Sequence, residues 1–200
     1  MLVLSKQPVA GRVKTRLCPP LTPRGAAVVA AAALEDTLDV VRAVPVARRV
    51  LVLDGAYEAD GFAVVPQRGG PMPERLAAAF DDAGSGPTLL IGMDTPQLTA
   101  ELLDDACCEL AEAAAILGLA SDGGWWALGL QQPDGSLLAH VPTSRDDTGA
   151  LQLAALRNAG LEVSLLPELR DVDTIADART VASLAPTGRF ARALAVALAD

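Results

Sequence analysis

Lys6, Arg12, Lys14 and Arg16 crowd the start of this chain, Arg24 follows, and no lysine occurs anywhere after Lys14. No Asp or Glu appears before Glu35, although the whole chain carries a formal charge of −9. The opening reads M-L-V-L-S-K-Q-P-V-A-G-R-V-K-T-R-L: a short apolar strand, a turn with Pro8 and Gly11, then alternating cations. A strand that ends in a glycine-containing cationic loop is how α/β proteins build a phosphate pocket. The strand end fixes position, glycine lets backbone N–H groups approach, and Lys or Arg supplies charge. A solvated basic loop paired to acidic patches is the alternative, but it leaves the absence of later lysines unexplained.

Carboxylates at other predicted strand ends complete the chemistry. In open α/β sheets ligands bind beyond the C-terminal ends of strands. I-G-M-D-T-P puts Asp94 at such an end, where a carboxylate can hold Mg²⁺ or Mn²⁺ or touch a ribose. Its other use is to cap the next helix, a task Thr95 or Thr99 can take over. A-S-D-G-G-W-W places Asp122, Gly123 and Gly124 in a tight turn before Trp125 and Trp126, the only tryptophans. Adjacent strand residues point to opposite faces, so one indole can pack inward while the other faces a pocket; a core role for both stays open. L-R-D-V-D-T carries Asp171 and Asp173 on one face of an extended segment. Asp173 either completes a metal site with Asp94 or caps the helix that follows.

Other signatures are missing. There is no G-x-x-x-x-G-K-[S/T], no G-x-G-x-x-G after the first strand and no G-x-S-x-G; His140 is the only histidine and reads as a loop residue. A net-acidic chain lacks the extended basic face of a nucleic-acid binder but tolerates one local anion pocket. Cys18, Cys107 and Cys108 suit neither a disulfide framework nor a metal quartet, and read as reduced thiols of a cytoplasmic protein. No apolar run is long and uncharged enough for a membrane span, and Lys6 and Pro8 interrupt any signal-peptide start.

The elements that must position these groups alternate. Unbroken aliphatic runs predict strands over 2–5, 49–54, 63–66, 88–92, 115–119, 125–130 and 162–166. Helices are expected from Thr22-Pro23 to about 44, over 73–82, 99–114, 144–159 and 174–184, with a last one over 188–199. Strands alternating with helices imply a layered α/β fold with a mostly parallel sheet, in one domain over 1–200. The helix after Pro186 is available either to cover the sheet or to meet a second copy in a homodimer.

Taken in order, K-Q-P-V-A-G-R-V-K-T-R-L, I-G-M-D-T-P-Q-L-T, S-D-G-G-W-W-A-L-G-L and L-R-D-V-D-T resemble the uncharacterised bacterial GT-A-like glycosyltransferase/nucleotidyltransferase family. That family is similar to 2-phospho-lactate guanylyltransferase. The resemblance, over roughly residues 1 to 180, implies a nucleotide-diphospho-sugar transferase (GT-A) fold, a three-layer α/β/α sandwich with a mixed, mainly parallel sheet. It implies a nucleoside triphosphate or nucleotide sugar, a small-molecule acceptor and a divalent cation, Mg²⁺ or Mn²⁺. Carried over by position, Gly11, Arg12, Lys14 and Arg16 contact phosphates and Asp94 binds metal. Asp173 is the second metal ligand, and Asp122, Gly123, Gly124 and Trp125 lie on the acceptor side. Lys14 and Asp94 then carry catalysis. The chain departs from the family where Trp125-Trp126 replaces Tyr-Tyr and where P-T-S-R-D-D-T stands at 142–148. A non-catalytic nucleotide-binding module of the same fold is the competing expectation.

Overall fold

The computed structural model describes residues 1–68 and 70–199. Seven strands form one sheet in the order β3-β2-β1-β4-β6-β5-β7: β1 (Leu2–Lys6), β2 (Val50–Asp54), β3 (Ala63–Pro66), β4 (Thr88–Gly92), β5 (Ala115–Ala120), β6 (Trp125–Leu130) and β7 (Val163–Leu169). β6 runs antiparallel to both β4 and β5, while the other pairs are parallel. The helices are α1 (Pro23–Ala43), α2 (Met72–Asp81), α3 (Ala100–Glu112), α4 (Thr148–Asn158), α5 (Ile175–Leu184) and α6 (Arg189–Ala199). Among the described residues, no helix is long and apolar enough to cross a membrane.

Strand alternation divides the core into two layers. Val3, Leu51, Leu53, Ile91, Ile116 and Trp126 face α1 and α3. Leu2, Val50, Val52, Leu90, Leu117 and Leu128 face Leu76 and Phe80 of α2 and Leu156 of α4. Both faces of the central strands are therefore dry, which is why those strands read as continuous aliphatic runs. β3 and β7 differ: they are the sheet edges, and much of each is exposed. A third cluster lies on the outer side of α1, where Ala26, Val29 and Ala33 meet Val181 of α5 and Phe190 and Leu194 of α6. α6 thus folds back on α1. Asp36 of α1 fixes its start, accepting 3.0 Å from Arg189 N and 2.8 Å from Phe190 N.

Local signals set the helix starts. Thr22 caps α1 by accepting from Gly25 N at 3.0 Å, with Pro23 at the first helical position. Thr99 caps α3 by accepting from Leu102 N, and Thr174 forms a capping box with Asp177 on α5. α4 begins at Thr148 rather than near Ser144 as the sequence predicts. Ser144 has φ +61, outside helical space, and Arg145 N donates to Thr148 Oγ1 instead of continuing a helix.

Candidate functional site

The C-terminal ends of β1, β2, β3, β4 and β7 meet the N-terminal end of antiparallel β6 along one edge, and an open cleft of about 720 Å³ runs across them. That volume suits a ligand of nucleotide size. Its lining includes Arg12, Lys14, Arg16, Asp94, Asp122, Gly124, Trp125 and Asp173, so four separated segments of sequence converge there. Gly11 and Gly123 are not part of that lining among the described residues; with φ of +76 and +89 they shape the turns beside it.

The cationic loop is anchored from beneath. Val13 and Leu17 are buried, while Arg12 just before them and Thr15 and Arg16 between them stay exposed. Burying Leu17 contributes about 2 kcal/mol. That offsets a cost of about 1 kcal/mol for Lys14, which sits in the left-handed region at φ +46 and ψ +37. This backbone conformation turns the Lys14 side chain inward, where only 10% of it is exposed. Its Nζ lies 2.6 Å from Asp94 Oδ1 and also donates to the Val172 carbonyl. Val172 N in turn donates to the Asp94 carbonyl at 2.9 Å, so the segment after β7 is tied to both. Arg16 reaches Asp173 Oδ2 at 3.0 Å.

Both capping alternatives resolve against the carboxylates: Thr99 caps α3 and Thr174 caps α5, leaving Asp94 and Asp173 directed to the cleft. Asp171, to which the sequence reading gave no role, is the most perturbed carboxyl in the cleft. Burial pushes its pKa up, with Asp122 and Asp94 adding like-charge repulsion, to about 8. Its Oδ1 is buried without a hydrogen-bond partner. The sequence clue was only its place two residues before Asp173.

On the far side of β4, the Asp122–Gly124 turn carries the start of β6. Gly124 N donates to Asp122 Oδ1 at 2.8 Å, and Gly149 N donates to Gly123 O at 2.7 Å. A Cβ on Gly123 would lie 1.8 Å from Asp146 O, so the 142–148 segment packs directly on this turn. Arg145 is held by Asp147 through two 2.8 Å bonds. The two indoles divide between the faces of the sheet. Trp126 is buried under α1 and α3 and donates to Pro167 O, whereas Trp125 lines the cleft. His140 is exposed.

On the β2–β3 side the cleft holds groups that the sequence did not single out. Gln67 Nε2 donates to Ser5 O at 2.7 Å, and Arg75 pairs with Asp54 at 3.1 Å. These groups lie far apart in sequence and share no motif.

The donor chemistry of the cleft fits a hard divalent cation. Asp94, Asp171 and Asp173 offer carboxylate oxygens, which such ions prefer, and the partnerless Asp171 Oδ1 is an acceptor still to be satisfied. Among the described residues no three His, Cys, Asp or Glu side chains form a ready-made metal cluster; Lys14 and Arg16 engage Asp94 and Asp173.

Solved structures share this architecture. A protein from Desulfovibrio desulfuricans G20, provisionally assigned as a nucleotide-diphospho-sugar transferase, superposes with a TM-score of 0.83 at 26% identity, covering 97% of this chain and 91% of that one. Rv0371c from Mycobacterium tuberculosis H37Rv, solved as a complex with manganese, gives 0.58 at 24% identity over 90% and 95%. The 2-C-methyl-D-erythritol 4-phosphate cytidylyltransferase of Thermus thermophilus gives 0.58 at 16% identity over 94% and 98%. The fold is therefore that of nucleotidyl and nucleotide-diphospho-sugar transferases. No curated protein matches the chain. A family model described as an uncharacterized protein conserved in bacteria (DUF2064) matches residues 28–145, and the chain belongs to that family.

Proposed function

We propose that this protein is a metal-dependent transferase that uses a nucleoside triphosphate or a nucleotide sugar and passes a nucleotidyl or glycosyl group to a small acceptor. The observation that carries this reading is the meeting of Lys14 and Asp94, 80 positions apart in sequence, within one cleft that also holds Arg12 and Arg16. In it, Arg12, Lys14 and Arg16 bind the phosphates and hold them for in-line attack by an acceptor oxygen. Asp94 and Asp173, with Asp171 beside them, hold the divalent cation, which neutralises charge on the phosphate oxygens. Asp122, Gly124 and Trp125 face the acceptor. The Lys14–Asp94 pair must open for this: Lys14 turns to phosphate as Asp94 turns to the cation. No covalent enzyme intermediate is required.

A thermal-shift panel of nucleoside triphosphates and sugar nucleotides, with and without Mn²⁺ or Mg²⁺, tests the reading. A ligand at a hundredfold excess over its Kd raises stability by about 2.7 kcal/mol. The expected result is a nucleotide-specific, metal-dependent shift that disappears in Lys14→Ala. Flat traces across the panel would overturn it. A shift that survives Asp94→Asn without turnover of any acceptor would mark a binding module instead. Release of pyrophosphate identifies nucleotidyl transfer, and release of a nucleoside diphosphate identifies glycosyl transfer.

A further inference from the structure

The charges of the cleft sort by wall once its ion pairs are set aside. Lys14 is paired with Asp94, Arg16 with Asp173, Arg75 with Asp54, and Arg145 with Asp147. Of the remaining lining groups, Lys6 and Arg12 stand on the β1 side and have no salt-bridge partner among the described residues. Across β4, Asp122 on the β5–β6 turn and Asp146 on the segment packed against it are likewise without a salt bridge among the described residues, as is Asp171 after β7. Arg145, the one cation on that wall among the described residues, is neutralised by a bidentate bond to Asp147. Trp125, at the start of β6, is half-buried against the core layer that faces α2 and α4, with part of its surface in the cleft.

We infer that the acceptor is an uncharged polyhydroxylated ring rather than a phosphorylated or carboxylated molecule. The inference rests on the transferase reading and specifies the chemical class of its second substrate. An anionic acceptor would be set against the exposed carboxylates of Asp122 and Asp146, with the neighbouring Arg145 already held by Asp147; like charges there repel, though less steeply than in a buried site. A ring of hydroxyls meets the same wall well. Carboxylate oxygens accept O–H donors, and a site built to hydrogen-bond hydroxyls rejects molecules that lack them. The indole of Trp125 offers a flat apolar surface for the C–H face of such a ring. Gly123 and Gly149 bring the turn and the 142–148 segment into backbone contact, which sets the backbones of Asp122 and Asp146 side by side.

The test uses Trp126→Phe, which leaves Trp125 as the sole tryptophan reporter. Methyl glucoside and glucose 6-phosphate are titrated with Mg²⁺ and inorganic pyrophosphate both present, so that the cationic wall is filled and its charge offset, and Trp125 fluorescence is followed. The expected result is saturable quenching by methyl glucoside, with glucose 6-phosphate at least tenfold weaker. The preference should shrink severalfold or more in Asp122→Asn/Asp146→Asn. If Trp126→Phe does not fold, saturation-transfer NMR on the unmodified protein reads the same competition. Equal or tighter binding of glucose 6-phosphate, no response to either sugar, or an unchanged preference in the double variant would each overturn the inference. The nucleotide shift is measured on the same preparation. Its loss alongside an intact sugar preference removes the transferase reading alone, and its presence alongside a phosphate preference removes this inference alone.

Discussion

Replacing Asp171 with Asn should make the metal-free protein more stable, and increasingly so as pH rises. The side chain is partly buried beside Asp94 and Asp122 and has one buried oxygen without a partner. Its pKa is pushed from 3.8 up to about 8. Such a folded-state pKa means that the native state holds a proton which the unfolded chain has already released. Stability is therefore fully present below about pH 4 and declines as pH rises through 8. Each pH unit in that interval costs about 1.4 kcal/mol, an upper bound of about 6 kcal/mol once the group is forced to ionise. The cleft is open, so screening cuts this to roughly 2–3 kcal/mol. The Asp171→Asn side chain cannot ionise and escapes that loss. For a chain of this size the gain corresponds to a Tm increase of about 5–10 °C at pH 9. The assay is thermal unfolding from pH 4 to 9 with a chelator present, comparing the two proteins at every pH. A difference that stays flat with pH, or a variant less stable at pH 9, would refute the reasoning. Adding Mn²⁺ together with a nucleoside triphosphate should then stabilise the parent more than the variant.

Gly123→Ala should destabilise by more than about 3 kcal/mol, because the added Cβ meets Asp146 O at 1.8 Å on a residue with φ +89; chemical denaturation with an unchanged slope checks it. Tyr57 is the only tyrosine, and burial together with the Glu35 carboxylate that accepts its hydroxyl pushes its pKa to about 12. Near-UV absorbance should therefore show phenol ionisation at about pH 12, returning toward 10 in Glu35→Gln; the stability this phenol adds is complete below pH 10 and lost between 10 and 12. Asp36→Ala should loosen α6 from α1, since Asp36 accepts from two α6 backbone amides and faces Arg189; amide exchange in 189–199 should quicken before the sheet is affected.

Much of this arrangement was legible because it is local. The strand that starts at Leu2, the Thr22-Pro23 helix start and the helix that starts after Thr174 each depend on a few adjacent residues, and each appears where the pattern places it. Asp94 and Asp173 were legible as strand-end carboxylates because the fold class says where strand ends gather. What escaped depends on distance. Nothing near Asp171 in sequence says that β7 will deliver it beside Asp94 and Asp122, yet that meeting sets its pKa. The start of α4 was misplaced because Ser144–Asp147 is held by the remote Gly123 turn, a constraint that periodicity does not carry. That β3 and β7 are the edges was not legible, because aliphatic runs do not reveal which strand ends up at an edge. Arg75, Gln67 and Asp54 form a polar corner only after three strands are aligned.

The grip of Lys14 on Asp94 makes the resting cleft self-neutralising at its centre. An arriving polyphosphate finds no vacant ammonium there and must compete with a carboxylate already in place. A cation approaching Asp94 faces the mirror-image contest. Either guest alone breaks the pair and strands one member of it; both together re-partner each half. Their affinities must then rise jointly, by one reciprocal factor. On the proposed function, each titrated singly should look like a poor ligand, and the two together a good one.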